Sequence, residues 1–443
     1  MPHKTTRRRF LGTTAVVGVG YWVAGGVQIA ESKSPNEKIA MAAIGVDGKG
    51  SSDSADAANA GVVVAICDVD EQKLGRRATD KRFEKAERFV DFRKMFDKLG
   101  KSIDAVTIST PDHMHAAPAL MAMRMGKHCF VQKPLTRCVY EARLLAEVAR
   151  KMKVATQMGN QGTAGSELRK AAAMMRAGRF GNITEVHVWT NRPIWPQGGE
   201  RPAPKDPPKY LHWDLWLGVA PERPYAEGAY HPFAWRGWWD FGSGALGDMA
   251  CHTVNMPFMG LDLRDPVTLE AETSKHNKDS FPRWSVIRFE FPANQWRGPV
   301  KMVWYDGGQR PSPEIFDGTT KLAASGCIVI GSKGKLYHAG DYGGITKIIG
   351  DVDQSDIEFE RSPGHFEEWI RAIRGGPPAK SNFPDYAGPL TETILLGNLA
   401  VWAAAGGRSE KIEWDAKNMQ AKNVSGLETI IKPVYRKGYV LDA

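Results

Sequence analysis

The feature that most restricts this 443-residue chain is an alternation of short apolar runs with longer helical stretches between residues 38 and 157. Ile39 to Ile44, Val62 to Cys67, Ile103 to Ser109, Cys129 to Val131 and Val154 to Gln157 read as strands. Helical patterns lie between them, among them Ala116 to Met125, ended by Gly126, and Val139 to Lys151. Repeated strand–helix–strand units predict a parallel, doubly wound α/β sheet that receives ligands at the carboxyl ends of its strands. The length exceeds one ordinary core, so a second domain is expected over 158–443.

Composition excludes several classes. Hydrophobic residues at 42% and charged residues at 25% suit a folded chain rather than a disordered one. Five cysteines without a C-x-x-C pair exclude a disulfide-stapled scaffold and a zinc ribbon. No H-E-x-x-H pattern occurs, and no metal is expected. The net charge of +9 does not point to nucleic acid, because Lys4, Arg7, Arg8 and Arg9 supply much of it and no basic tract follows.

Within the first unit, Gly45-Val46-Asp47-Gly48-Lys49-Gly50 lies between a strand and a helix, where a dinucleotide loop belongs. Glycines there permit a tight turn and let backbone N–H groups approach a pyrophosphate at a helix start. Asp47 stands where the second glycine is usual and sets a negative charge near the expected phosphates. Asp68, at the end of the second strand, would hydrogen-bond ribose hydroxyls and favour NAD over NADP; the alternative is that it caps the next helix. Lys73, Arg76 and Arg77 keep NADP open.

The amino terminus reads as an address. Arg7-Arg8-Arg9-Phe10-Leu11 precedes an apolar, glycine-rich stretch to Ala30, and the arrangement resembles a twin-arginine export signal. The expectation is a signal over 1–30, a linker over 31–37 and a folded chain from 38. The twin-arginine translocase would then be a partner and the periplasm or another extracytoplasmic space the destination. An uncleaved membrane anchor is the alternative.

Three more segments complete a resemblance. Thr110-Pro111-Asp112-His113-Met114-His115, Gln132-Lys133-Pro134 and Gly247-Asp248-Met249-Ala250-Cys251-His252 follow the glycine loop and Asp68 in order. Together they resemble the glucose-fructose oxidoreductase/inositol dehydrogenase/MocA family. The resemblance implies a Rossmann domain over 38–157 and an α+β domain with an open, mainly antiparallel sheet over 158–443. It also implies a homo-oligomer, dimer or tetramer. NAD would be held by Gly45, Gly48, Gly50, Asp68, Thr110, Pro111, His115 and Gln132. Lys133 would hydrogen-bond the reacting oxygen, and His252 would act as general base. Asp248 would orient the imidazole or bind a neighbouring hydroxyl. The usual glutamate before the lysine is Gln132 here, a loss of one contact.

Apart from Trp22, every tryptophan lies at 189 or later, and seven fall between Trp189 and Trp239. Broad aromatic faces suit sugar rings, and Tyr230, Trp235 and Arg236 are the candidate substrate residues. Trp213 and Trp216 read as a packed helical turn, and one of Trp238 and Trp239 is expected inside. Residues 192–199 and 201–208 read as loops over the site or as an oligomer arm. The leading expectation is an exported NAD-dependent oxidoreductase acting on a saccharide, sugar acid or cyclitol. An NAD-dependent, redox-neutral glycosidase and a non-catalytic sugar-binding protein with a decayed nucleotide site are the alternatives.

Overall fold

The computed structural model describes residues 38–318, 320–439 and 441. The proposed export signal and the linker behind it lie outside these residues.

Two sheets organise the chain. The first has six strands: β1 (Ala40–Ile44), β2 (Val62–Cys67), β3 (Glu87–Phe89), β4 (Ala105–Ile108), β5 (His128–Val131) and β6 (Thr156–Met158). Their order is β3-β2-β1-β4-β5-β6, and every pairing is parallel. β4 and β5 are buried throughout, as strands covered by helices on both faces must be. The direction of winding reverses between β1 and β4, which opens a crevice at their carboxyl ends.

The second sheet has nine strands: β7 (Ile183–Trp189), β8 (Thr268–Thr273), β9 (Ser285–Phe291), β10 (Val300–Tyr305), β11 (Gly326–Gly331), β12 (Gly334–Ala339), β13 (Lys347–Gly350), β14 (Ile412–Asp415) and β15 (Gln420–Ala421). Pairing is antiparallel except between β7 and β10. Strands β8 and β9 alternate buried and half-buried residues, the mark of a sheet with one packed face. Helix Gly388–Ala403 covers that face and is buried along most of its length. A Cβ at Gly397 would lie 2.7 Å from Leu246 and 2.8 Å from Phe289, so the missing side chain sets how closely the helix seats.

The two tryptophan pairs differ in outcome. Trp213 and Trp216 stack at 4.6 Å in the short helix Trp213–Leu217, as the turn predicts. Trp238 and Trp239 are both buried, not one alone: Trp238 packs on Tyr230, while Trp239 stacks on Phe281 at 3.8 Å. The turn passes between two aromatic clusters, so opposite faces both find cover.

The carboxyl-terminal half returns to the first sheet through helix His365–Ile373. Trp369 is fully buried against Phe130, and its indole N–H donates to the Ala155 carbonyl oxygen at 3.1 Å. Beside it, buried Arg169 pairs with buried Glu368; Arg169 also donates to the Thr163 carbonyl oxygen, and Glu368 accepts from the Lys380 N–H. Removing one member strands the other charge away from water. Arg169→Met is therefore expected to lose about 3–5 kcal/mol in urea unfolding, with much of the loss recovered when Glu368→Gln is added.

Candidate active site

β1 ends at Ile44, and the chain turns at Gly45 with φ +76°; a Cβ there would lie 2.6 Å from the Ser109 carbonyl oxygen. Gly48 takes φ +57° just before helix Lys49–Ala60. Gly50 faces inward, where a Cβ would meet the Gly45 carbonyl oxygen at 2.1 Å. Gly45 and Gly48 line the cavity, whereas Gly50 lets the helix close on the loop. This is a cradle suited to a pyrophosphate.

Asp68 faces the same cavity from the end of β2. Its carboxylate accepts the backbone N–H of Val46 and of Asp70, each at 3.0 Å, and so ties the glycine loop to the neighbouring strand. Burial raises its pKa against those hydrogen bonds. The following helix is capped by Asp70, which accepts from the Gln72 and Lys73 N–H groups, so the capping role does not fall to Asp68. Asp47 does not confront the phosphate cradle as a bare anion. Lys73 Nζ lies 3.3 Å and an Arg76 guanidinium nitrogen 3.6 Å from its carboxylate.

Gln132 replaces the expected contact with another. Its amide donates to the Asp53 carboxylate at 2.8 Å, and Asp53 also accepts from Ser109 Oγ at 2.7 Å and Lys49 Nζ at 2.5 Å. Asp53 is fully buried, so a second carboxylate at 132 would place two like charges together, whereas the amide satisfies the first. Thr110 and Pro111 line the cavity. His115 does not: its ring nitrogens lie 2.8 Å from the carbonyl oxygens of Pro134 and Thr110, so it fastens the Thr110 turn to the Lys133–Pro134 turn.

Lys133 crosses from the first half to the second. Its ammonium donates to the Asp248 carbonyl oxygen at 2.7 Å and carboxylate at 2.9 Å, and Arg236 Nε donates to the same carboxylate oxygen at 3.1 Å. Burial opposes the Asp248 charge, but Lys133 and then Arg236 outweigh it and hold the carboxyl at about 2. Asp248 and His252 project from one face of helix Gly244–Thr253 into the cavity. No hydrogen bond joins them among the described residues, so Asp248 is held by the cations rather than orienting the imidazole. Burial, followed by the Lys133 charge, lowers His252 to about 3, and its Nδ1 has no partner among the described residues. A neutral imidazole, its Nδ1 buried and unpartnered, thus lines the cavity beside a fixed ammonium.

Sequence reasoning missed Asp112 and Tyr342. Asp112 lines the cavity and accepts from Ser243 Oγ at 2.6 Å; burial, aided by Asp248, raises its carboxyl to about 7. Its place in the Thr110–His115 motif was visible, but the buried Ser243 partner was not. Tyr342, 49% exposed, meets His252 edge-on at 5.1 Å from the loop between β12 and β13. No motif marks it.

The substrate candidates separate. Trp235 and Arg236 line the cavity, with the guanidinium 4.2 Å over the Trp235 ring and 4.6 Å over Phe233. Tyr230 does not reach it; 1% exposed, it packs among Trp213, Trp238 and Phe241. Arg192, Ile194 and Trp195, from the loop predicted to lie over the site, do line it. The cavity encloses about 610 Å³ and runs from Asp68 to Tyr342. That is room for a nucleotide and a small polar ring end to end.

Comparison with known proteins agrees with this geometry. Residues 13–160 match the family model for an oxidoreductase NAD-binding Rossmann fold, and residues 182–441 match the oxidoreductase family C-terminal alpha/beta domain. A glycosyl hydrolase family 109 protein of Solibacter usitatus is 28% identical over 41% of this chain and 44% of its own length. Levoglucosan dehydrogenase of Pseudarthrobacter phenanthrenivorans is 25% identical over 38% of this chain and 34% of its own. The chain therefore spans less than half the length of these curated relatives. Among solved structures, WlbA dehydrogenase of Bordetella pertussis, in complex with NADH and UDP-GlcNAcA, superposes with TM-score 0.59 at 17% identity. That match covers 84% of this chain and 98% of the other. Levoglucosan dehydrogenase with NADH and L-sorbose superposes with TM-score 0.55 at 16% identity, over 85% and 98%. With both halves matched, the chain belongs to the Gfo/Idh/MocA oxidoreductase family and binds NAD through its Rossmann domain.

Proposed function

We propose that this protein transfers hydride between NAD and a secondary hydroxyl of a sugar, sugar acid or cyclitol, interconverting the hydroxyl and the corresponding carbonyl. The observation that carries the reading is the Lys133 ammonium fixed by Asp248 next to an unpartnered, neutral His252, at the inner end of the nucleotide cavity. Bound NAD supplies the hydride acceptor. Gly45, Gly48, Asp68, Thr110 and Pro111 would hold it. Lys133 donates a hydrogen bond to the reacting oxygen and stabilises charge that develops there. The His252 imidazole, which lines the cavity, accepts the hydroxyl hydrogen bond. An imidazole held to about 3 keeps a proton poorly at neutral pH, and Asp112, near 7, is the cavity group matched to receive it. Ile194, Phe233, Trp235 and Tyr342 form apolar walls against the C–H faces of the ring.

Redox-neutral glycoside cleavage is the second reading. It is favoured by the likeness to glycosyl hydrolase family 109 proteins and by two groups able to take a proton. Asp47 and Gln132, the residues that would speak for a decayed nucleotide site, are both compensated by partners. Export in folded form, with cofactor already in place, is part of the proposal and rests on the amino-terminal arginines.

The deciding experiment is a panel of sugars, sugar acids and p-nitrophenyl glycosides assayed for NADH formation and for aglycone release. NADH formation supports net oxidation, aglycone release without it supports the cycle, and silence on both sinks the reading. Lys133→Ala is expected to lower turnover by about 10²–10³-fold while NADH binding, read by fluorescence, persists.

Asp112 carries its own test. Its folded-state pKa lies above the unfolded one, so the native state binds the extra proton and wild-type stability falls as pH rises from the ordinary carboxylate value to about 7. Asp112→Asn should therefore gain stability over wild type between pH 5 and pH 8, on the order of 1–3 kcal/mol in urea unfolding. The same variant should lose the rate inflection near pH 7; an unchanged profile would remove Asp112 from the proton path.

A further inference from the structure

We infer that Asp47 is a second determinant of NAD over NADP, acting by occupying the two cations that a 2′-phosphate would need. The inference rests on NAD binding by the Rossmann domain and concerns how the adenosine end is recognised.

Three cations follow β2 on helix Glu71–Ala78: Lys73, Arg76 and Arg77. Positive side chains at this place accommodate the additional phosphate of NADP, while an acid at the strand end suits a ribose diol. Here the two signals coexist, because Asp68 ends the strand and the cations stand next to it. Asp68 by itself is a compromised discriminator: it is half-buried, and its two oxygens accept from Val46 and Asp70.

Arg77 is engaged elsewhere. It donates to the Ser51 carbonyl oxygen at 2.9 Å, and its guanidinium lies 4.0 Å over the Phe83 ring. Lys73 and Arg76 remain, and Asp47 reaches both, at 3.3 and 3.6 Å. Asp47 and Lys73 both line the cavity, so this ion pair forms part of its wall. A 2′-phosphate entering here would have to displace the Asp47 carboxylate from Lys73 and then lie beside two carboxylates. A ribose diol makes neither demand. The residue that looks like a flaw in the glycine pattern thereby becomes the element that silences an NADP-type cation pair.

The test is calorimetric titration of the nucleotide-stripped full chain with NADH and with NADPH. Wild type is expected to bind NADH more tightly. Asp47→Asn should shift the NADH:NADPH affinity ratio about tenfold toward NADPH, since one opposing charge is removed and two cations are released. Asp47→Gly, which restores the usual residue of the pattern, should shift it in the same direction. High salt should shrink the shift, and Lys73→Gln added to Asp47→Asn should reverse most of it. An unchanged ratio in both single variants, with NADH still bound, overturns the inference alone, as does a shift that survives Lys73→Gln. A wild-type chain that binds neither nucleotide overturns the cofactor reading beneath it.

Discussion

The ion pair between Lys133 and Asp248 joins the two halves of the molecule at the place where chemistry is proposed. The ammonium comes from the turn after β5 in the parallel sheet; the carboxylate comes from helix Gly244–Thr253, which packs on helix Gly388–Ala403 through Leu246 at Gly397. Each charge is mostly withdrawn from water, so each depends on the other, and Arg236 supplies a further cation. The surrounding contacts keep that geometry. His115 fastens the Thr110 turn to Pro134, and Ser243, at the start of the Asp248 helix, donates to Asp112 of the same turn. His113 lies against the Phe241 and Trp216 carbonyl oxygens, anchoring the turn to the aromatic cluster. Two turns and one helix are thus locked around a single buried charge pair.

The nucleotide half shows the same economy in its departures from the family pattern. Glutamine at 132 is matched to a buried aspartate at 53, and aspartate at 47 is matched to the cations at 73 and 76. Each substitution read alone suggests a weakened site. Read as pairs, they balance charge: the amide at 132 satisfies the buried Asp53 carboxylate, and the acid at 47 meets two bases. Motif residues are coupled through space, and a pattern written along the chain does not show the coupling.

That limit also explains which parts were legible in the sequence. Strands β1, β2, β4 and β5 announce themselves because a doubly covered parallel strand must be apolar throughout. Strand β3 escaped, being three residues of Glu-Arg-Phe at the sheet edge, and β8 escaped because Thr-Leu-Glu-Ala-Glu-Thr hides its buried face between charges. Lys133, Asp248 and His252 were found through a resemblance, and the structure sets them on one cavity. The placement of Tyr230 could not be read, because an aromatic residue beside a site motif has the same signature whether it packs or lines. Tyr342 could not be found at all. It reaches His252 from a glycine-rich loop between β12 and β13, ninety residues later in the chain.

The electrostatics of the cavity bear on what kind of reaction it can run. Moving a hydride needs one group to hold the oxygen and one to take its proton, while elimination needs a base for a carbon-bound proton as well. Sites that manage several proton transfers commonly hold titratable groups whose environments push them apart. Here burial drives His252 down to about 3 and Asp112 up to about 7, leaving a neutral imidazole and a carboxyl poised near neutrality around one fixed ammonium. Asp248, held at about 2, stays anionic and is spent on positioning. Both proposed reactions share the first oxidation and draw on Lys133 in the same way. They part only at the second proton, so the division of labour between His252 and Asp112 is the physical question on which the choice between net oxidation and glycoside cleavage turns.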